Sequence, residues 1–600
     1  MGIEVWAPRA NRVRLRRPGR NDIELTAGDA GWWRSDVALS AGDEYGFVLG
    51  DSSTDSGTDA VRPDPRSRRQ PSGVHGLSAW DDGASFAWTD QAWTGRQLAG
   101  GLIYELHVGT FTPEGTLDAA TGRLAHLVEL GVTHVELLPV NGFNGTHNWG
   151  YDGVLWYTVH EAYGGPEAYR RFVDAAHAAG LAVIQDVVYN HLGPSGNYLP
   201  EFGPYQRDGA GTTWGASIDL DERPVRDYII DNALMWLGDF HVDGLRLDAV
   251  HALHESGAQP EHILREIAER VDALSAHVGR PLTLIAESDL NDPVMILPRE
   301  AGGYGLAAQW VDDWHHAVHV ALTGETDGYY ADFADPSALP KTWVGGFFHD
   351  GTYSSFRGED WGKAVPAEVP SWRFVEFAQD HDQVGNRAAG DRLSQSLSFA
   401  RLQIAAVLTM TAPGTPMLFM GEEWGASTPW QFFTSHPEPE LAEATRRGRT
   451  AEFARMGWDP ALVPDPNDPA TFERSKLNWA EAGEGDHARL LTGYRLLARM
   501  RREHPELTDP DRRGQRAESA GPGRWVLHRD AASVYVNLST EDWSIPFAAD
   551  REVWAATTTA HGGMPVDEGP LALSPDSAAV IGPRTSPRLS RRFAEYVPVG

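Results

Sequence analysis

Four short apolar runs in this 600-residue chain end in charged side chains. They span residues 183–191 (VIQDVVYNH), 244–251 (GLRLDAVH), 282–287 (LTLIAE) and 374–382 (FVEFAQDHD). Each is rich in β-formers, so each reads as a buried strand that delivers its charges into the following loop. Asp248, Glu287 and Asp382 are then three separately delivered carboxylates, with Arg246, His191, His251 and His381 close by. The chemistry that needs one ionised and one protonated carboxyl is scission of a glycosidic bond. That reaction passes through an oxocarbenium-like state, so a carboxylate must lie beneath the anomeric carbon. Asp248 suits this role, because Arg246 shares its strand parity and would keep it ionised. Glu287, flanked by Ile285 and Ala286, is expected to have a raised pKa and to donate the proton. Asp382 would hold ring hydroxyls and distort the sugar, and the three histidines would donate to hydroxyls. A metal site is disfavoured, since these histidines lie on separate loops without i, i+4 pairing. With no cysteine, thiolate sites and disulfides are excluded, and no cofactor is expected.

The elements that must position these residues begin near residue 101, where strand and helix patterns alternate. Strands are expected at 102–106, 133–139, 181–188, 243–247, 282–286, 306–311, 373–378 and 415–420. Helices are expected at 122–130, 166–179, 225–237, 261–277, 394–410 and 487–502. Eight such units in a row predict a parallel (β/α)8 barrel with right-handed crossovers. The acids then fall at the C-terminal ends of strands three, four, five and seven, the face where barrel enzymes carry their sites. Residues 1–95 alternate apolar and polar in short stretches, as a small β-sandwich of the immunoglobulin-like or carbohydrate-binding type does. The barrel occupies 96–512, with a long Gly- and Pro-rich insertion at about 191–224 expected to overhang its mouth. Residues 513–600 return to short strands and suggest a C-terminal β domain.

Composition narrows the partners. A chain this long predicts several domains, and 41% hydrophobic with 22% charged residues is the balance of a soluble globular protein. A net charge of −33 repels phosphate backbones and anionic lipid, which argues against nucleic acid and membrane partners. The first residues lack an apolar signal core, and the most apolar window, 402–420, is broken by Pro413, Gly414 and Pro416. A cytoplasmic location is the expectation. Twenty-two tryptophans suit a polysaccharide, whose ring faces stack on aromatic side chains.

The motifs together resemble the α-amylase family of glycoside hydrolases. Asn190-His191 matches the end of its strand-three motif, Arg246-Leu247-Asp248 its strand-four motif, Glu287 its strand-five acid and His381-Asp382 its pair after strand seven. The resemblance covers residues 1–600. It departs at Ala249-Val250-His251, where many members carry Lys-His, and this implies a different lower cleft. Residues 148–153 (NWGYDG) resemble the loop that stacks a tyrosine on bound sugar, here Tyr151. The preceding sandwich is similar to that of branching and debranching enzymes and of the family's trehalose-releasing branch, and residues 138–143, 309–316, 421–426 and 430–436 resemble that last branch in particular.

That resemblance implies Asp248 as nucleophile, Glu287 as general acid/base and Asp382 as transition-state stabiliser. It also implies a cleft lined by Asp312, Asp313, His315, His316, Gln383 and Asn386. The implied activity is a retaining hydrolase that cuts the α-1,4 bond beside the terminal trehalose of maltooligosyltrehalose, coupled to an enzyme that forms this substrate. Two alternatives stand beside it: a glucan-branching transferase on the same fold, and a non-catalytic glucan-binding protein, against which the complete acid set argues.

Overall fold

The computed structural model describes residues 2–50, 60–212, 215–455, 462–557 and 570–584. Eight parallel strands close a barrel. They are Ile103–Leu106 (β1), His134–Leu137 (β2), Ala182–Val187 (β3), Gly244–Leu247 (β4), Thr283–Ala286 (β5), Ala308–Trp310 (β6), Phe374–Phe377 (β7) and Thr415–Phe419 (β8). Pairing of β8 with β1, through Met417 with Ile103 and Leu418 with Tyr104, completes the ring. Each strand lies within about two residues of its expected position, because runs buried on both faces are hard to mistake.

Side-chain alternation decides which residues reach the barrel axis. Ile103, Ile184, Ile285, Ala308, Trp310, Val375, Phe377 and Met417 fill the interior as one apolar cluster. Their neighbours Tyr104, Val183, Leu245, Leu284 and Leu418 belong instead to the larger core beneath the helices. Continuing the inward parity by two residues gives Glu105, Asp186 and Glu287. Helices Gly165–Ala178 and Arg223–Gly238 begin with Pro in the first turn, where its missing N–H costs nothing.

Two small sheets precede the barrel, one of Ile3–Trp6, Trp32–Ser35 and Thr26–Ala27, the other built on Arg12–Arg16 and Glu44–Gly50. After it come a five-stranded sheet, Gln515–Ser519 to Ser577–Pro583, and a two-stranded one. Parts of both expected terminal domains (51–59, 558–569 and 585–600) lie outside the described residues. A buried arginine ties the last sheet to the barrel: Arg529 Nη1 donates to the carbonyls of Ala412 and Leu507 at 2.7 and 2.6 Å. Arg501, on the helix Gly485–Glu503, donates from Nη2 to Gly414 O, at the approach to β8, at 2.7 Å. The 191–224 insertion carries a short helix, Leu199–Phe202, and a hairpin of Gln206–Thr212 with Gly215–Ile218. Among the described residues no helix is long and apolar enough to cross a membrane.

Candidate active site

At the C-terminal end of β4, one buried guanidinium touches three carboxylates. Arg246 Nη1 donates to Asp186 Oδ2 at 2.9 Å and to Asp248 Oδ1 at 2.8 Å, while Nη2 lies 3.1 Å from Glu287 Oε2. Strand parity on β3, β4 and β5 brings these four side chains to one end of the barrel axis. The indole of Trp310, from β6, lies under Arg246 with its centroid 4.3 Å from Cζ, and this cation–π contact fixes the plane of the fork. The second Asp248 oxygen accepts from Asn190 Nδ2 at 2.7 Å, and the same amide nitrogen also donates to Asp248 O at 3.0 Å. Both carboxylate oxygens are thereby oriented, yet the Asp248 side chain keeps 11% of its surface open whereas Arg246 has none. The nucleophile candidate can be reached; its holder cannot.

Glu287 is gripped from below by the backbone. Ala249 N–H donates to Oε2 at 2.6 Å, and Ala249 adopts φ 39°, the left-handed region that a Cβ disfavours. The turn after Asp248 thus carries strain in a conformation that aims an N–H at Glu287. Burial raises the Glu287 pKa, Asp248 and Asp382 push it the same way, and Arg246 opposes them. The apolar neighbours in sequence contribute less directly: Ile285 points into the barrel core and Ala286 toward the helices.

His381 stands at the start of the short helix His381–Gly385 after β7. Its Nδ1 is 2.6 Å from Glu105 Oε1, its backbone N–H donates to Glu105 Oε2 at 2.9 Å, and its Nε2 lies 2.7 Å from Tyr151 Oη. Burial alone would lower the His381 pKa, but Asp382 and Glu105 outweigh it and raise it to about 10, so the ring is an imidazolium at neutral pH. Tyr151 stacks on that ring at 5.1 Å and donates to Asp186 Oδ2 at 2.7 Å. Burial, helped by Asp248 and opposed by Arg246, lifts Asp186 to about 7. Asp382 is more open, 38% exposed, with His381 Nε2 at 3.6 Å and Asn386 Nδ2 donating to Oδ1 at 3.1 Å.

The remaining expected cleft residues divide. Asp312, half-buried at the start of helix Asp312–Thr323, is raised to about 8, first by burial and then by the charges of Glu287 and Asp382. Gln383 is half-buried next to Asp382, its N–H capped by Asp380 Oδ1 at 2.6 Å. His251 Nδ1 lies 3.6 Å from Asp289 Oδ1. His191 is buried, with Nε2 against Tyr151 O at 2.9 Å and Nδ1 against Asn190 Oδ1, so it braces two residues of the site. Asp313 accepts from Asn291 Nδ2 and from the backbone N–H groups of Phe348 and His349 at 2.8, 2.8 and 2.9 Å, holding the wall of a loop. His315 Nδ1 is 2.8 Å from Ala378 O, while His316 packs 4.9 and 5.0 Å from the rings of Tyr329 and Phe333. Glu105 and Trp310 belong to the constellation although no charge cluster in the sequence singles them out, whereas Asn190 stood in the matched strand-three motif without an assigned role. The available signal for Glu105 is an acid at inward parity inside an apolar strand.

The α-amylase catalytic-domain model matches residues 52–207. The malto-oligosyltrehalose trehalohydrolase of Rhizobium sp. (strain M-11) is 55% identical over 595 residues, covering 96% of this chain and 97% of that one. The malto-oligosyltrehalose trehalohydrolase of Arthrobacter ramosus is 60% identical over 535 residues, covering 87% and 91%. Among solved structures, a putative alpha amylase from Salmonella typhimurium superposes with a TM-score of 0.88 at 39% identity, covering 97% of each chain.

Proposed function

Because the chain belongs to the malto-oligosyltrehalose trehalohydrolases, within the α-amylase family, we propose that Asp248, Glu287 and Asp382 carry out its reaction as a retaining pair and a stabiliser. The enzyme cleaves the α-1,4-glucosidic bond next to the terminal trehalose of maltooligosyltrehalose and releases trehalose and a maltooligosaccharide. Asp248, ionised between Arg246 and Asn190, attacks the anomeric carbon while Glu287 protonates the departing trehalose oxygen. Loss of that proton leaves Glu287 anionic beside Arg246, ready to take a proton from the water that cleaves the glycosyl-enzyme.

The observation that carries the reading is the single Arg246 guanidinium in contact with both Asp248 and Glu287. Retention requires those carboxyls about 5–5.5 Å apart, and a shared fork supports such a spacing. Asp382 faces the ring that becomes positively charged and stabilises that charge, while the His381 imidazolium, 3.6 Å from Asp382 Oδ2, keeps the carboxylate ionised. Asp312, a neutral carboxyl at pH 7, donates to a sugar hydroxyl. Tyr151, Arg246, His251, Gln383 and Asn386 line or brace the same cleft, while Asp313, His191, His315 and His316 support it from behind.

The substrate is supplied by an enzyme that converts the reducing end of a maltooligosaccharide to a trehalose unit, and the two act in the cytoplasm. Product analysis tests the whole: maltooligosyltrehalose should yield free trehalose, and amylose should gain no branch points. Branches without trehalose would establish a transferase instead.

A further inference from the structure

We propose that Arg449, on the helix Pro439–Arg455 beyond β8, is a positioning residue that sets the orientation of Asp382 through the amide of Asn386. The inference rests on the role given to Asp382 above. Among the described residues, the carboxylate of Asp382 receives one hydrogen bond, from Asn386 Nδ2 to Oδ1 at 3.1 Å. Asn386 also donates its backbone N–H to Asp382 O at 2.8 Å, so the two residues close one turn. A primary amide has a donor end and an acceptor end, and which end meets the carboxylate is decided by what holds the other.

Arg449 holds it. Nη1 donates to Asn386 Oδ1 at 2.9 Å and Nη2 to Gly385 O at 2.6 Å. A guanidinium can only donate, so it claims the amide oxygen and leaves the NH2 end facing Asp382. Without it, the amide is free to rotate and present its oxygen to the carboxylate, a repulsive contact that would turn Asp382 away from the sugar. Arg449 is itself seated on the Phe432 ring, 4.7 Å from its centroid, and Phe432 meets Trp149 edge-on at 5.1 Å. A helix outside the barrel's eight units thus sets the acid after β7.

A double-mutant cycle on the full-length enzyme with maltooligosyltrehalose tests this. Arg449→Met should lower kcat by about 10- to 100-fold with KM within about twofold of wild type. In an Asn386→Ala background the same change should cost less than about twofold, because the relay is already gone. Equal losses in both backgrounds, or a loss confined to KM, would overturn the proposal. If Arg449→Met does not fold, Arg449→Lys carries the same cycle, and its melting temperature separates destabilisation from misorientation. Asp382→Asn is the control: near-normal turnover there would refute the role of Asp382, whereas an inactive Asp382→Asn beside an unaffected Arg449→Met would refute only the relay.

Discussion

Glu105 grips His381 twice, with Oε1 2.6 Å from Nδ1 and Oε2 accepting the backbone N–H at 2.9 Å. One carboxylate on β1 therefore fixes both the ring and the chain at the start of the turn that carries Asp382. Both residues are 1% exposed, so water screens little of the interaction.

Glu105→Gln removes the anion and keeps the shape. Burial already pulls the His381 pKa down, so losing one of its two raising partners should bring it below the native value of about 10. If the imidazolium is the working form, the variant loses kcat as pH rises through that lower pKa while wild type does not. A pH–rate profile with an NMR titration of His381 checks this, and superimposable profiles would refute it.

Arg246→Lys should lower kcat by about 10²–10³-fold, because a single ammonium cannot serve three carboxylates and stack on Trp310. Arg246→Ala should also destabilise the fold by about 3–5 kcal/mol, since it leaves buried carboxylates without their counter-charge. Kinetics and denaturant melts measure the two effects separately.

Gly385→Ala puts a Cβ 2.1 Å from Trp149 Cη2 and 3.0 Å from Trp430 Cδ1. Those rings stack at 5.4 Å and are anchored by indole N–H bonds to Gln431 O and His381 O, so they cannot step aside. The turn bearing Asp382 must shift instead. We expect a stability loss of about 1–3 kcal/mol and a kcat defect at unchanged substrate selectivity, measured by thermal melts and turnover.

The segment leading into the barrel is clasped beneath it by charge. His177 lies 2.9 Å from both Asp90 Oδ2 and Asp243 Oδ2, and Trp93 Nε1 donates to Asp243 Oδ1 at 2.8 Å. Burial would raise the Asp243 pKa, but His177, Arg280 and Trp93 outweigh it and hold it low. A depressed carboxylate pKa stabilises fully above the unfolded value, about 3.9, and the benefit vanishes as pH falls through the folded value. Asp243→Asn should therefore cost stability at pH 7, and the gap to wild type should close below about pH 4. A constant gap across pH would contradict the clasp.

Strand runs such as 183–188 and 282–286 made the barrel legible, because doubly buried segments announce themselves as unbroken apolar stretches. The same runs placed Asp248 and Glu287 at strand ends, and Arg246 at matching parity, so their meeting followed from alternation alone. The 191–224 hairpin was less legible, since Gly-rich strands such as Gln206–Thr212 lack an apolar face. Asp313 and His315 were themselves expected to line the cleft, but on helix Asp312–Thr323 their side chains turn instead to the backbone of Phe348 and His349 and to Ala378 O. Arg449 was invisible for another reason: its role depends on a tertiary contact across 63 residues of sequence.

The most direct test of the account is capture of the glycosyl-enzyme. Glu287→Gln, given an activated fluorinated maltooligosyl donor, should accumulate a covalent adduct, and peptide mass mapping should place it on Asp248. An adduct on Asp382 or on no carboxylate, with product released in the inverted anomeric form, would contradict it.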